Sequence, residues 1–200
     1  MILKNIKKAA MFGLDARIAL AIFALVSVIS VSVIHSALEE SATEKLIYEA
    51  KEIEKAISAY EIDTDSELPI LTTGIYDLRE IKSSAKPGWK NEYLNYRSAT
   101  GTNAERYLIH GDVGKFLIFR ANDRAATDVD DNPFNSCADA AKVCYDWIMF
   151  ESSSEGSVPD TYMYLLDKLI DNSDGYLTGR IQQFEGTDLL YRLSVREYYP

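Results

Sequence analysis

Only two of the 200 residues are histidine, His35 and His110, and only two are cysteine, Cys137 and Cys144. The sequence contains no HExxH, GxSxG, P-loop or Rossmann glycine set, the patterns that would place a metal, a nucleophile or a nucleotide. No nucleophile or carboxylate can be assigned to His110 from the sequence, so it reads as an ordinary surface histidine at a strand end. Basic residues are also scarce: 21 Lys and Arg against 31 Asp and Glu give a formal charge of -10. With no Lys/Arg cluster, the chain should repel phosphate backbones, and direct nucleic-acid binding is not expected. Carboxylates are so plentiful that their presence singles out no glycosidase-like pair. An enzyme is not expected.

The most telling deficit is local. Ile18 to Leu38 holds no Asp, Glu, Lys or Arg over 21 positions, and as a helix it spans roughly 30 Å, about one bilayer hydrocarbon core. His35 falls near its outer boundary and reads as an interfacial neutral residue. Lys4, Lys7 and Lys8 precede the run, and Glu39, Glu40 and Glu44 follow it. Positive-inside logic then keeps the N-terminus cytoplasmic and sends the bulk of the chain outward. Removing the first 13 residues takes away three lysines and no acid, moving the formal charge from -10 to -13.

Three accounts of this segment compete. A secretory signal would use small residues near Ser36-Ala37 for cleavage, but the run is long for that role. An unprocessed single-pass anchor fits the charges. The third account uses Gly13, which precedes the apolar helix rather than following it. The arrangement resembles a type IV prepilin leader, in which a membrane peptidase cuts after the glycine and leaves the helix on the mature chain. The resemblance implies a leader at 1–13, a prepilin peptidase as partner, and Leu14 as a new, usually N-methylated, first residue. Most members of that family carry a glutamate at the fifth mature position, which meets the charged N-terminus of a neighbouring subunit. Ile18 occupies that position here, with Asp15 and Arg17 at mature positions two and four. Asp15 can take the glutamate's role by lowering the cost of burying an ammonium; alternatively it caps the helix while Arg17 snorkels to headgroups.

Beyond Glu39, residues Leu46, Ile47, Ala50, Ile53, Ile57 and Tyr60 recur at three- and four-residue spacing, an apolar stripe on a 3.6-period helix. One helix over 14–60, with its membrane part at 18–38, would measure roughly 70 Å. The stripe needs a sheet to cover it. Tyr107 to Ile109 and Phe116 to Phe119 flank Gly111-Asp112-Val113-Gly114 and predict the hairpin that does so. Ser27, Ser30, Ser32 and Ser36 permit close helix approach or intrahelical hydroxyl bonds.

The order Ile57-Ser58-Ala59-Tyr60, Asp63, Leu68-Pro69, Thr72-Thr73-Gly74, Tyr76-Asp77-Leu78, Trp89 and Tyr93-Leu94 resembles the major pseudopilins of type II secretion systems, over about residues 10–96. The fold expected is α+β: a long N-terminal transmembrane-plus-amphipathic helix packed on an antiparallel sheet, with a globular head over 61–200 onto which 39–60 packs. A short helix is expected over Ile75 to Ile81, with Trp89 packing over the long helix. Pro159 and Asp160 open a further helix through Ile170, with Tyr164, Leu165, Leu169 and Ile170 as its apolar side. Asp188 to Val195 reads as a terminal strand.

Cys137 and Cys144 lie close together on the expected extracytoplasmic side. A local disulfide is expected there, the alternative being two reduced core cysteines. Asp128, Asp130 and Asp131 form a solvated acidic loop outside EF-hand register, and Asp171-Asn172-Ser173-Asp174-Gly175 also departs from it. Major pseudopilins often bind calcium in an aspartate- and glycine-rich C-terminal loop, so the resemblance makes Asp171 and Asp174 candidate calcium ligands.

Taken with the resemblance, the sequence implies a structural subunit of a type IV pilus or a secretion pseudopilus. Its site residues are Gly13 and Leu14 for processing and Asp15, Arg17 and Ile18 for assembly. Its partners would be copies of itself, other pilin or pseudopilin subunits and an inner-membrane assembly platform. The precursor would sit in a bacterial-type inner membrane and the filament in the periplasm or at the cell surface. The opposing account is a monomeric, membrane-tethered extracytoplasmic binding protein.

Overall fold

The computed structural model describes residues 3–71, 74–122, 143–151, 160–184 and 188–193, with side chains left undescribed at 3–12 and 160–161. Cys137 and the Asp128–Asp131 loop lie outside those residues. The backbone divides into two compact units, Met1–Ala42 and Thr43–Pro200.

The first unit belongs to helix α1, Leu3–Thr64. Its apolar run is exposed: thirteen large apolar side chains from Leu14 to Leu38 all lie open, Phe23 at 71% and Val28 at 72%. Ser27 Oγ donates to the Phe23 carbonyl at 2.7 Å and Ser32 Oγ to Ile29 at 2.9 Å, so these hydroxyls are satisfied within the helix. His35 is exposed, with Nε2 3.5 Å from Glu39.

The second unit begins inside α1, and here the predicted stripe is the core. Leu46, Ala50, Ile53, Ile57 and Tyr60 are buried, and Ile47 packs at their edge. Full burial of such a side chain contributes about 1.5–3 kcal/mol. The Lys45–Glu49 contact at 3.9 Å joins an exposed lysine to a half-buried carboxylate and is weakened by solvent screening, so packing holds this half of the helix. The helix runs four residues past the predicted end at Tyr60. Thr64 Oγ1 donates to the Tyr60 carbonyl at 2.8 Å, and Asp65 at φ 48° turns the chain out through a left-handed conformation.

Among the described residues six strands form one antiparallel sheet: β1 Arg97–Ser98, β2 Leu108–His110, β3 Gly114–Ala121, β4 Tyr145–Glu151, β5 Ile181–Phe184 and β6 Asp188–Arg192. Their spatial order is β1-β2-β3-β4-β6-β5. The β2–β3 hairpin forms as its turn predicts, with His110 opposite Gly114 and Gly114 at φ 86°. Side chains alternate faces along each strand. Phe116, Ile118, Ile148, Phe150, Leu189 and Tyr191 join the α1 stripe in one cluster. Leu117, Phe119, Trp147, Met149 and Leu190 join Ile75 in a second. Burial on both faces explains why the inner strands read as unbroken apolar runs.

Two expected elements need correction. Ile75 to Ile81 is not one helix: helix α2 covers only Arg79–Lys82, because Ile75 and Tyr76 are held extended by bridges to Phe119 and Ile70. Helix α3, Asp160–Ile170, has the expected bounds but a different buried side. Met163, Leu166 and Asp167 face inward, while Tyr164 and Leu169 are 53% and 47% exposed. By helical spacing Tyr162, Met163, Leu165, Leu166, Leu169 and Ile170 share one broad apolar arc, and Tyr164 falls on the opposite, polar side, so the expected set does not form one face.

Candidate functional site

Two parts of the molecule carry features that a folded core does not require. One is the start of α1. Gly13 is helical and open, with nothing near the position a Cβ would take, and Leu14, Asp15, Arg17 and Ile18 are exposed beside it. Monomeric soluble proteins rarely expose contiguous apolar patches beyond a few hundred Å². The run from Leu14 to Leu38 is far larger, and α1 is long and apolar enough to cross a membrane.

The other is an acidic cluster at the end of α3. Asp167, Asp171 and Asp174 each offer a carboxylate oxygen, and these oxygens all lie within 4.8 Å of one another. Local backbone geometry brings them together. Asp171 N and Ser173 N both donate to the Asp167 carbonyl, closing the helix, and Asn172 and Ser173 adopt left-handed φ values of 55° and 64°. The chain then returns through Gly175 and Gly179, also at positive φ. A Cβ on Gly179 would lie 2.6 Å from Asp171 Oδ2 and 2.9 Å from Asp174 Oδ2, so a side chain at this left-handed position would push both carboxylates aside. Arg180 N and Ile181 N donate to Asp171 Oδ2 at 2.6 and 2.7 Å, and Gln183 N donates to the Tyr176 carbonyl. The loop thereby covers the outer edge of β5, the kind of edge that otherwise invites strand pairing.

The cluster carries an electrostatic cost. Asp167 is only 4% exposed, and its Oδ1 has no hydrogen-bond partner. Burial, reinforced by the charges of Asp174 and Asp171, pushes its carboxyl above the usual range, against a hydrogen bond from the Gly175 backbone. The negative end of the α3 dipole adds to the repulsion. Calcium–oxygen distances of about 2.3–2.6 Å put opposite ligands about 4.6–5.2 Å apart, so one ion can touch all three carboxylates. The orphaned oxygen, the glycine cradle and the all-oxygen donor set fit Ca²⁺.

The structure thus brings Asp171 and Asp174 together and adds Asp167, which the sequence reading missed. Its signal was its place four residues before Asp171, on one face of a helix. Cys144 is buried and disulfide-bonded. His110 is corrected from a surface residue to a buried one, 4% exposed and packed against Tyr96 and Phe150. Burial, with Glu49 and Glu52 nearby, pushes the Tyr96 phenol up to about 12. No protein-family model, no curated protein and no solved structure matches the chain.

Proposed function

We propose that this chain is a structural subunit of a type IV pilus or a type II secretion pseudopilus, processed after Gly13 and polymerised through its N-terminal helix. One observation carries the proposal. A single helix, Leu3–Thr64, has a fully exposed apolar run in its first part and the main core stripe of a mixed helix-and-sheet unit in its second. A tether needs only the span. A subunit that leaves lipid for a protein-lined filament needs a helix whose apolar surface can be covered in turn by either environment.

Before assembly the run is held in a membrane with the basic N-terminus inside; after cleavage Leu14 becomes the first residue. Calcium held by Asp167, Asp171 and Asp174 fastens the loop that borders β5, on a surface available to neighbouring subunits.

Mass spectrometry of the mature N-terminus, followed by filament imaging, tests the proposal. A chain beginning at N-methylated Leu14 and found in filaments is the expected result. An intact Met1 on isolated molecules gives a monomeric tether instead, and a start beyond Ala37 gives a secreted protein.

A further inference from the structure

Asp15 and Arg17 are the only charged residues between Lys8 and Glu39. Both are exposed, and neither has a hydrogen-bond or ion-pair partner among the described residues. Helical neighbours three and four residues away cannot supply one: Met11, Phe12, Ile18 and Ala19 surround Asp15, and Gly13, Leu14, Leu20 and Ala21 surround Arg17. Nor can they pair with each other. Two residues apart on an α-helix is about 200° of rotation, which places the two charges on opposite sides of the shaft. Charges at the end of a spanning helix are costly to leave unpaired once that helix is packed among other apolar helices.

From this we propose that Asp15 of one copy pairs with Arg17 of the next, making the two sides of the shaft a complementary head-to-tail contact. A negative site on one face and a positive site on the other cannot satisfy a two-fold dimer, in which the same face meets itself. The arrangement suits a heterologous interface, which repeats without closing and generates an open array. The axial separation of the two residues is only about 3 Å, so the pair forms between copies held at nearly the same depth in a bilayer. The occupant of each face is therefore a second copy of this chain, selected by charge before the apolar runs settle against each other. This inference rests on the filament function proposed above and adds the code by which copies choose orientation.

The test is copurification of two differently tagged full-length copies from membranes, using the charge variants D15R and R17D. Wild-type copies should copurify. D15R with itself and R17D with itself should each fall by about tenfold or more, because like charges then face each other. A mixture of D15R copies with R17D copies should recover, since each interface again joins an arginine to an aspartate, and the double swap D15R/R17D should recover alone. Recovery in the mixture also excludes misfolding as the cause of either loss. If wild-type copies associate but the mixture does no better than either variant alone, the pairing is overturned while the filament function survives. If R17Q associates like wild type and D15N does not, Asp15 meets the N-terminal ammonium instead, and the pairing is likewise overturned. Wild-type copies that fail to associate overturn the filament function itself.

Discussion

His110 Nε2 lies 2.5 Å from Glu49 Oε2, joining the β2–β3 turn to α1 across 61 residues of sequence. The ring's other nitrogen, Nδ1, accepts from Asp112 N at 3.1 Å and Val113 N at 3.3 Å. Two donors at Nδ1 leave the ring proton on Nε2, so the imidazole donates to the Glu49 carboxylate. Lys45 closes the same junction from the outside, with Nζ 2.6 Å from Asp112 Oδ2. A turn whose sequence reads only as Gly-Asp-Val-Gly is thus fixed by a side chain that organises its backbone.

Replacing His110 with alanine removes the donor to Glu49, leaves the exposed Asp112 N–H to water and deprives the buried Val113 N–H of its acceptor. Each buried group left unsatisfied costs about 1–3 kcal/mol. A stability change of that size corresponds to about 2–4 °C per kcal/mol in a unit of this length. Thermal unfolding of H110A should therefore show a midpoint several degrees lower. An unchanged midpoint would mean that the junction contributes nothing.

Gly88 marks a second close approach. It sits at φ 87°, and a Cβ there would collide with the carbonyl oxygen of Asp63 near the end of α1. The approach sets Lys90 Nζ 2.6 Å and Tyr93 OH 3.0 Å from the Asp63 carboxylate. Gly88→Ala faces both a left-handed backbone and a clash with main chain, and should destabilise by about 2 kcal/mol or more. Denaturant unfolding should show a lower midpoint with an unchanged slope.

The exposed apolar run offers a variant that would distinguish the proposed filament subunit from a simple tether. Thirteen large apolar side chains lie between Leu14 and Leu38; at about -0.3 to -0.6 kcal/mol each they favour insertion by about 4–8 kcal/mol. One lysine at the centre costs about 3 kcal/mol. Under the proposed filament function, V28K should therefore remain resistant to carbonate extraction and yet fail to appear in filaments, because a buried lysine would have no partner in a helical array. A variant that assembles normally would count against an apolar filament core.

Much of this fold is legible because its signals are local. Leu46 to Tyr60 declares one helical face, and Gly111 to Gly114 declares a turn between two apolar runs. What escaped depends on partners distant in sequence. Ile75 and Tyr76 look helical until Phe119 and Ile70 hold them extended. His110 looks exposed until Glu49 arrives from another element. At the acidic site Asp171 and Asp174 were visible as a loop composition, whereas Asp167 reads in the sequence as one more acid on the polar side of an amphipathic helix.

Asp167 also contributes to the pH response of the metal-free protein. Its folded pKa is raised above the unfolded value, so between those two values the native state binds the proton more tightly than the unfolded chain. Stability from this group is then complete below the unfolded value, near 4, and is lost as pH rises through the folded value. Glu151 carries a raised pKa of the same sign, through burial and Asp188, whereas Asp63 and Asp112 are lowered by their lysine partners and act oppositely. The comparison with D167N therefore isolates the contribution. With chelator present, D167N should be more stable than wild type at neutral pH and should lose that advantage in acid. Calcium should reverse the order at neutral pH: at 100 times its Kd, binding adds about 2.7 kcal/mol to wild type and much less to D167N, which presents one charged ligand fewer. Unfolding midpoints measured with chelator and with calcium, across pH 4 to 8, decide the matter, and equal calcium gains in the two proteins would remove Asp167 from the site.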